Sequence, residues 1–378
     1  MTRHIGAYAA DLAGILLLGL VTMAVPVAGT VPRQPNATER AASNLATLTS
    51  AAQTATQDAA IKATINAPGG RGPLPASALI TADEAANLVE VARYDHTRFG
   101  SSAWSRDGRY FVEHGSGGWL LLYDVLAGLA VREVLNTGDL FWSLAVSDDA
   151  TLVAGSGPVL YLWDVATGAE LATLDDRAEF GLDMDFSPDG TLLAVSYDDG
   201  FLAVYDTITF ERLFLEWTNA EVAYSVAFSP DGTTVATGGA GAGAQLRDAR
   251  TGALRDTLPD PTRNIAWSAA FSTDGTLLAT GNSANEIRLW DVDGLSLAGT
   301  LLGHSDWVRG VAFSPDGTLL ISGSADSTVR VWDVATQTEL VVLSGHTDTV
   351  KSITFSPDGT LILSVGADAQ LIVWGLPQ

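Results

Sequence analysis

Residues 313–334 read FSPDGTLLISGSADSTVRVWDV, and from residue 355 the chain reads FSPDGTLILSVGADAQLIVWGL. Phe313 and Phe355 lie 42 positions apart. The phrase returns upstream as FSTDG from Phe271 and FSPDG from Phe228 and Phe186, then more loosely as VSDDA from Val146 and WSRDG from Trp104. Successive anchors differ by 42, 40, 42, 43, 42 and 42 residues, so the chain carries seven copies of one unit. A period of this length marks a repeat architecture, in which no single unit buries its own apolar faces.

Each copy is legible by itself. Ser-Pro-Asp-Gly is turn chemistry: proline fixes φ at the second turn position and glycine closes the turn. TLLIS then reads as a short apolar strand, SADST as a turn, VRVWDV as a second strand, ATQT as a third turn and ELVVL as a further strand. With the strand that leads into the anchor, one unit is a four-stranded antiparallel meander. Its strands are apolar on both faces, which suits a sheet held between two others. Seven such sheets arranged radially bury one another and leave only short edges. The expected fold is therefore all-β, a seven-bladed propeller.

These residues resemble the WD-repeat β-propellers over about residues 86–376. The resemblance is carried by Gly303-His304, Asp326 and Trp332-Asp333, by Gly345-His346, Asp368 and Trp374, and by Trp163-Asp164 and Trp290-Asp291. It implies a hydrogen-bonded tetrad of His, Ser or Thr, Asp and Trp inside a blade. His304, Ser322, Asp326 and Trp332 fit that tetrad with steps of 18, 4 and 6, and His346, Ser364, Asp368 and Trp374 repeat the steps. The other five copies depart from it. Trp gives way to Tyr123, Tyr205 and Arg247, and Asp to Ala284 and Gly241. GGAGAGAQLRD (238–248) reads as the loosest stretch, because glycine loses most entropy on ordering.

The last copy ends in LIVWGLPQ (371–378), a third strand with no fourth after it. LVEVARY (88–94) sits where ELVVLSG (339–345) sits before the seventh copy, to within one residue. It is expected to join the blade that ends at Trp374, so that the two chain ends clasp.

The formal net charge is −24, the 20 Lys and Arg are unclustered, and there is no cysteine. Nucleic acid is thus an improbable ligand. Disulfides, thiolate metal sites and cysteine nucleophiles are excluded. MTRHIGAYAAD precedes the uncharged run LAGILLLGLVTMAVPVAG (12–29), which reads as a signal peptide or, alternatively, an uncleaved anchor. Both readings place the propeller outside the cytoplasm, with any membrane contact confined to that segment. Residues 30–82, rich in Ala, Thr and Ser, read as a flexible linker, and 83–378 as the propeller. Asn36-Ala37-Thr38 fits a glycosylation acceptor, a weak signal at three residues.

No catalytic signature is present: there is no HExxH, no GxSxG and no P-loop. Of five histidines, two belong to the tetrads, His4 to the N-terminal segment, and His114 to a strand, where a structural role is the ordinary one. No metal site or cofactor is expected, and the chain is expected to be a non-enzymatic monomer. The sharper signal is positional. Four places before each anchor stand Gly100, Trp142, Leu182, Tyr224, Trp267, Arg309 and Lys351, and two places earlier Arg98, Leu140, Phe180, Val222, Ile265, Trp307 and Thr349. By resemblance, these positions face the top entrance of the channel. Trp142, Tyr224, Trp267, Trp307, Arg309 and Lys351 are therefore the candidate contacts for a protein or peptide partner, since Trp, Tyr and Arg dominate binding hot spots. Packing between blades is the bland alternative. A carbohydrate-binding rim and a hydrolase or lyase using channel carboxylates are the competing functions.

Overall fold

The computed structural model describes residues 78–95, 101–114, 119–127, 129–136, 141–157, 159–174, 180–241, 243–260 and 262–377. The expected signal or anchor segment, Asn36, most of the linker, His96, Arg98, Gly100 and Leu140 lie outside them. The described residues belong to one compact unit, Lys62–Gln378. They form seven four-stranded antiparallel sheets, one per sequence copy. Blade 6 is typical: Val308–Phe313, Leu319–Ser324, Thr328–Asp333 and Thr338–Ser344, each paired with the next.

The innermost strands are Ser102–Trp104, Ser143–Val146, Gly181–Phe186, Ala223–Phe228, Ala266–Phe271, Val308–Phe313 and Val350–Phe355. Each contacts the next in chain order, and the last contacts the first, which closes the ring. The core is the set of interfaces between blades. Leu246 and Leu258 of blade 4, for example, pack with Phe271, Leu278 and Trp290 of blade 5. In blade 6 the second strand is buried throughout and the third is buried at Val329, Val331 and Trp332, which is why they read as apolar runs. Each fully buried Leu, Val or Phe stabilises the ring by about 1.5–3 kcal/mol relative to exposure.

Val89–Asp95 pairs antiparallel with Gln370–Gly375 and completes blade 7. Two details of the sequence reading change. Glu90 lies opposite Trp374, as Glu339 lies opposite Trp332, so the closing strand is two residues from the register expected, not one. A shorter connection into blade 1 accounts for the shift. The packed part of the chain also begins before residue 83. Ile80, Ala85 and Leu88 are buried against blades 6 and 7, and the Ile80 amide donates to Gly359 O at 3.1 Å.

One device recurs in all seven copies. In blade 6, Ser314 Oγ donates to Asp316 and accepts from the Leu319 amide, and Asp316 accepts from the amide and hydroxyl of Thr318. The Ser–Asp bond is 2.6 Å in the turns at Ser105, Ser187, Ser272, Ser314 and Ser356. It is 2.8 Å at Ser147 and 2.5 Å at Ser229. The closing glycine has φ between 68° and 76°, but blade 2 places Ala150 there at φ 52°. Much of the acidity read from the sequence is thus spent as hydrogen-bond acceptors within turns.

Candidate functional site

The rim residues share a backbone feature. In blades 3 to 7 the innermost strand carries a bulge four residues before its anchor, at Leu182, Tyr224, Trp267, Arg309 and Lys351. A bulge leaves one residue unpaired and re-aims its side chain. The seven inner strands run in the same sense, so these positions share one mouth of the channel and the Ser-x-Asp-Gly turns surround the other.

Four of the six candidates meet. Tyr224 lies 4.5 Å from Trp267 between ring centroids, and Trp267 stacks on Trp307 at 5.3 Å. The Arg309 guanidinium sits 4.2 Å from the Trp267 centroid and 5.3 Å from that of Trp307. A strip of three aromatic rings and one cation therefore crosses blades 4 to 6. Trp142 stands apart and packs edge-on against Phe180 at 5.3 Å, with both rings exposed. Lys351 is exposed on blade 7, next in ring order to Arg309. Trp267 and Trp307 are half-buried, with indole faces turned to each other and to Arg309.

The tetrad residues form two continuous hydrogen-bond chains. Trp332 Nε1 donates to Ser322 Oγ at 2.8 Å, Ser322 to His304 Nε2 at 2.8 Å, and His304 Nδ1 to Asp326 at 2.9 Å. In blade 7 the corresponding distances for Trp374, Ser364, His346 and Asp368 are 2.9, 2.9 and 3.0 Å. Donor roles follow from the chain, because tryptophan can only donate. Burial opposes the Asp326 charge, but hydrogen bonds from His304, Thr328 and Ser305 outweigh it and hold the carboxyl well below its usual range. Burial is also the leading influence on His346, and it lowers that imidazole's proton affinity.

Other blades improvise at these positions. In blade 5, Trp290 bonds Thr280 at 3.0 Å, while Arg288 pairs with Asp260 and Glu286 and donates to Thr262. Blade 3 sets Tyr205 against Tyr197, 3.1 Å between hydroxyls. Blade 1 pairs Tyr123 with the buried Glu113. Arg247 of blade 4 donates to the carbonyls of Gly252 and Trp217 and to Gln245.

Sequence reasoning found no set of channel carboxylates, and the structure places one there. Asp183 and Asp185 lie on the innermost strand of blade 3 and accept from the amides of Val226 and Phe228 on the next inner strand. Enclosure pushes Asp183 up to about 7 and raises Asp185. Asp148, in the blade 2 turn, is pushed up to about 6 by burial and by Asp107. From the blade 1 turn, Arg106 reaches across to blade 4 and donates to Phe228 O at 2.6 Å and Ser229 O at 3.2 Å. The signal was visible at the anchors. At the positions three and one before them every other blade has Ser, Gly, Ala or Thr, and only GLDMDF has aspartates. Inner-edge amides have no strand partner, so the carboxylates serve as their acceptors. Among the described residues, no group of three or more His, Asp or Glu is arranged to hold a metal ion. A cleft of about 520 Å³ opens between the lower ends of blades 4 and 5, but its Asp231, Asp274 and Arg255 are engaged by turn residues and Asp248.

The family model for the WD domain, G-beta repeat matches residues 178–206, 214–244, 252–291, 295–333 and 337–375. No curated protein is similar enough to the chain to count as a match. The five matched stretches fall on blades 3 to 7, and blades 1 and 2 continue the same sheet order. The chain belongs to the WD-repeat family and is a seven-bladed β-propeller.

Proposed function

We propose that this propeller is a non-catalytic scaffold that binds a protein or peptide across the bulged rim of blades 4 to 7. WD-repeat propellers are commonly interaction scaffolds. The observation that carries the specific reading is the continuous strip of Tyr224, Trp267, Trp307 and Arg309, built from three blades at equivalent positions. Arg309 and the neighbouring Lys351 favour an anionic group on the partner. Trp142 with Phe180 forms a second apolar contact on blades 2 and 3. A sugar ring needs an open aromatic face, and the faces of Trp267 and Trp307 are taken up by each other and by Arg309. That favours a peptide over a carbohydrate. The basic start and apolar run of residues 1–29 support export as part of the same reading.

Selection from a displayed peptide library tests the proposal. Acidic peptides should be enriched on the wild type and lost with Trp267→Ala and Trp307→Ala. Equal enrichment on all three would contradict it, and a glycan array with clear binders would favour the carbohydrate reading.

The raised channel aspartates support a second reading, a hydrolase or lyase. Their bonds to backbone amides give them a structural role without chemistry. Loss of a hydrolytic activity in Asp183→Asn, with the melting temperature kept, would revive the enzymatic reading.

A further inference from the structure

Between neighbouring blades a groove runs along the outer strand of one and the sheet of the next, and one place on the outer strand decides whether it is filled. Phe214 holds that place opposite Val204 in blade 3, and Asp256, Gly299 and Val341 hold it opposite Leu246, Leu289 and Val331 in blades 4, 5 and 6. Phe214 is buried with Val226, Phe228, Val235 and Ala249 of blade 4. Over Gly299 lies the Gln337 side chain of blade 6, which donates to Ala298 O at 3.1 Å. Val341 packs against the core shared by blades 6 and 7. Of these four blades only blade 4 puts a carboxylate there, and Asp256 is exposed. The groove between blades 4 and 5 stays open as the cleft of about 520 Å³.

The floor of that cleft is apolar, with Leu246 and Phe271 buried and Val292 and Leu295 half-buried. Asp256 of blade 4 and Asp293 of blade 5 stand on its walls, and neither has a hydrogen-bond or ion-pair partner among the described residues. Arg255, the one basic residue of the described lining, is held by Asp248 and Thr234. A carboxylate in a filler's place thus gains nothing from its own chain. It suits a group with an apolar stem and a positive end, which is how lysine and arginine are built. The cleft is of ordinary size for a ligand site, and a net charge of −24 draws basic partners to the molecule. We infer that the cleft between blades 4 and 5 receives a basic side chain of a protein partner, its stem on the apolar floor and its cation at Asp256 and Asp293. The cleft opens at the end of the ring opposite the rim strip, so binding there is independent of Trp267 and Trp307.

Titration of the full chain with the capped peptide Gly-Gly-Arg-Gly-Gly, followed by the methyl resonances of Leu246, Val292 and Leu295, tests this. Those methyls should shift and saturate. Asp256→Asn and Asp293→Asn should each weaken binding about fivefold. Glu211→Gln, the same change of charge on blade 3, should leave it as it is. Asp256→Phe, which gives blade 4 the filler of blade 3, should abolish the shifts. Unchanged circular dichroism in all four variants excludes misfolding. Absence of saturable shifts, or an affinity indifferent to both asparagine exchanges, would overturn the inference. So would equal binding of a peptide with citrulline, which keeps the shape without the charge, or with norleucine, which would mean an apolar occupant.

Discussion

Blades 6 and 4 are built on the same template and differ in what fills it. In blade 6, Trp332, Ser322, His304 and Asp326 form an unbroken chain of hydrogen bonds. In blade 4 the same four positions hold Arg247, Thr237, Asn219 and Gly241. Thr237 Oγ1 is buried without a partner there, and Arg247 turns to backbone carbonyls. Yet both blades keep the same strand order, the same bulge and the same Ser-Asp-Thr turn. The fold therefore rests on what all seven copies share, the apolar strands and the turn acceptors. The tetrad adds local stability where it is complete.

The widest gap between these blades should appear at the tetrad serine. Ser322→Ala strands Trp332 Nε1 and His304 Nε2 in a buried site and should cost about 2–3 kcal/mol. Thr237→Val at the matching position removes a hydroxyl that already lacks a partner, and should fall within about 0.5 kcal/mol of wild type or above it. Denaturant titration measures both. Equal losses would break the comparison.

The turn should show no such gap. Asp316→Ala and Asp231→Ala each remove an acceptor bonded to one serine and one threonine, and each should cost about 1–2 kcal/mol. A blade 4 turn that tolerates the change would mean that the shared turn does not carry the weaker blade.

Smaller still is the repair of the one turn without glycine. Ala150 sits at φ 52°, where a Cβ clashes with its own backbone. Ala150→Gly should raise stability by about 0.5–1 kcal/mol, the relief of strain exceeding the added freedom of the unfolded chain.

The pH response should be the mildest effect, because two contributions oppose. Asp183 and Asp148 titrate near 7 and 6 in the folded chain, above their unfolded value. Their stabilisation is complete below about pH 4 and is lost as pH rises through 6 and 7. His346 runs the other way: its folded affinity for a proton is lowered, so its contribution is lost as pH falls. The melting temperature should decline gently from pH 5 to 7.5 in the wild type. In Asp183→Asn, which keeps an acceptor for the Val226 amide, the decline should flatten or reverse. An unaltered profile would mean that Asp183 does not titrate in this range.

The repeat made the fold legible, since a turn motif recurring seven times fixes blade number and strand order together. The tetrads were legible because side-chain chemistry and spacing coincide in His304, Ser322, Asp326 and Trp332. The register of the closing strand was not, because no turn motif marks its start. Nor were the substitutes in blades 1, 3 and 5, since Arg288 with Asp260 or Tyr205 with Tyr197 depends on which side chains meet in space. Asp183 and Asp185 escaped notice among 44 acidic residues because most of the others read as turn formers. Aligning the seven copies position by position would have exposed them.

On the proposed function, binding belongs to the rim strip and stability to the blade interior. The direct test is a paired measurement on Trp267→Ala and Ser322→Ala: affinity for an enriched peptide by calorimetry, and melting temperature by circular dichroism. Trp267→Ala should lose about 2 kcal/mol of binding with little change in melting, and binding by the wild type should weaken as salt rises. Ser322→Ala should melt several degrees lower and bind as the wild type does. Binding unaffected by Trp267→Ala, or both variants losing both properties together, would contradict the account.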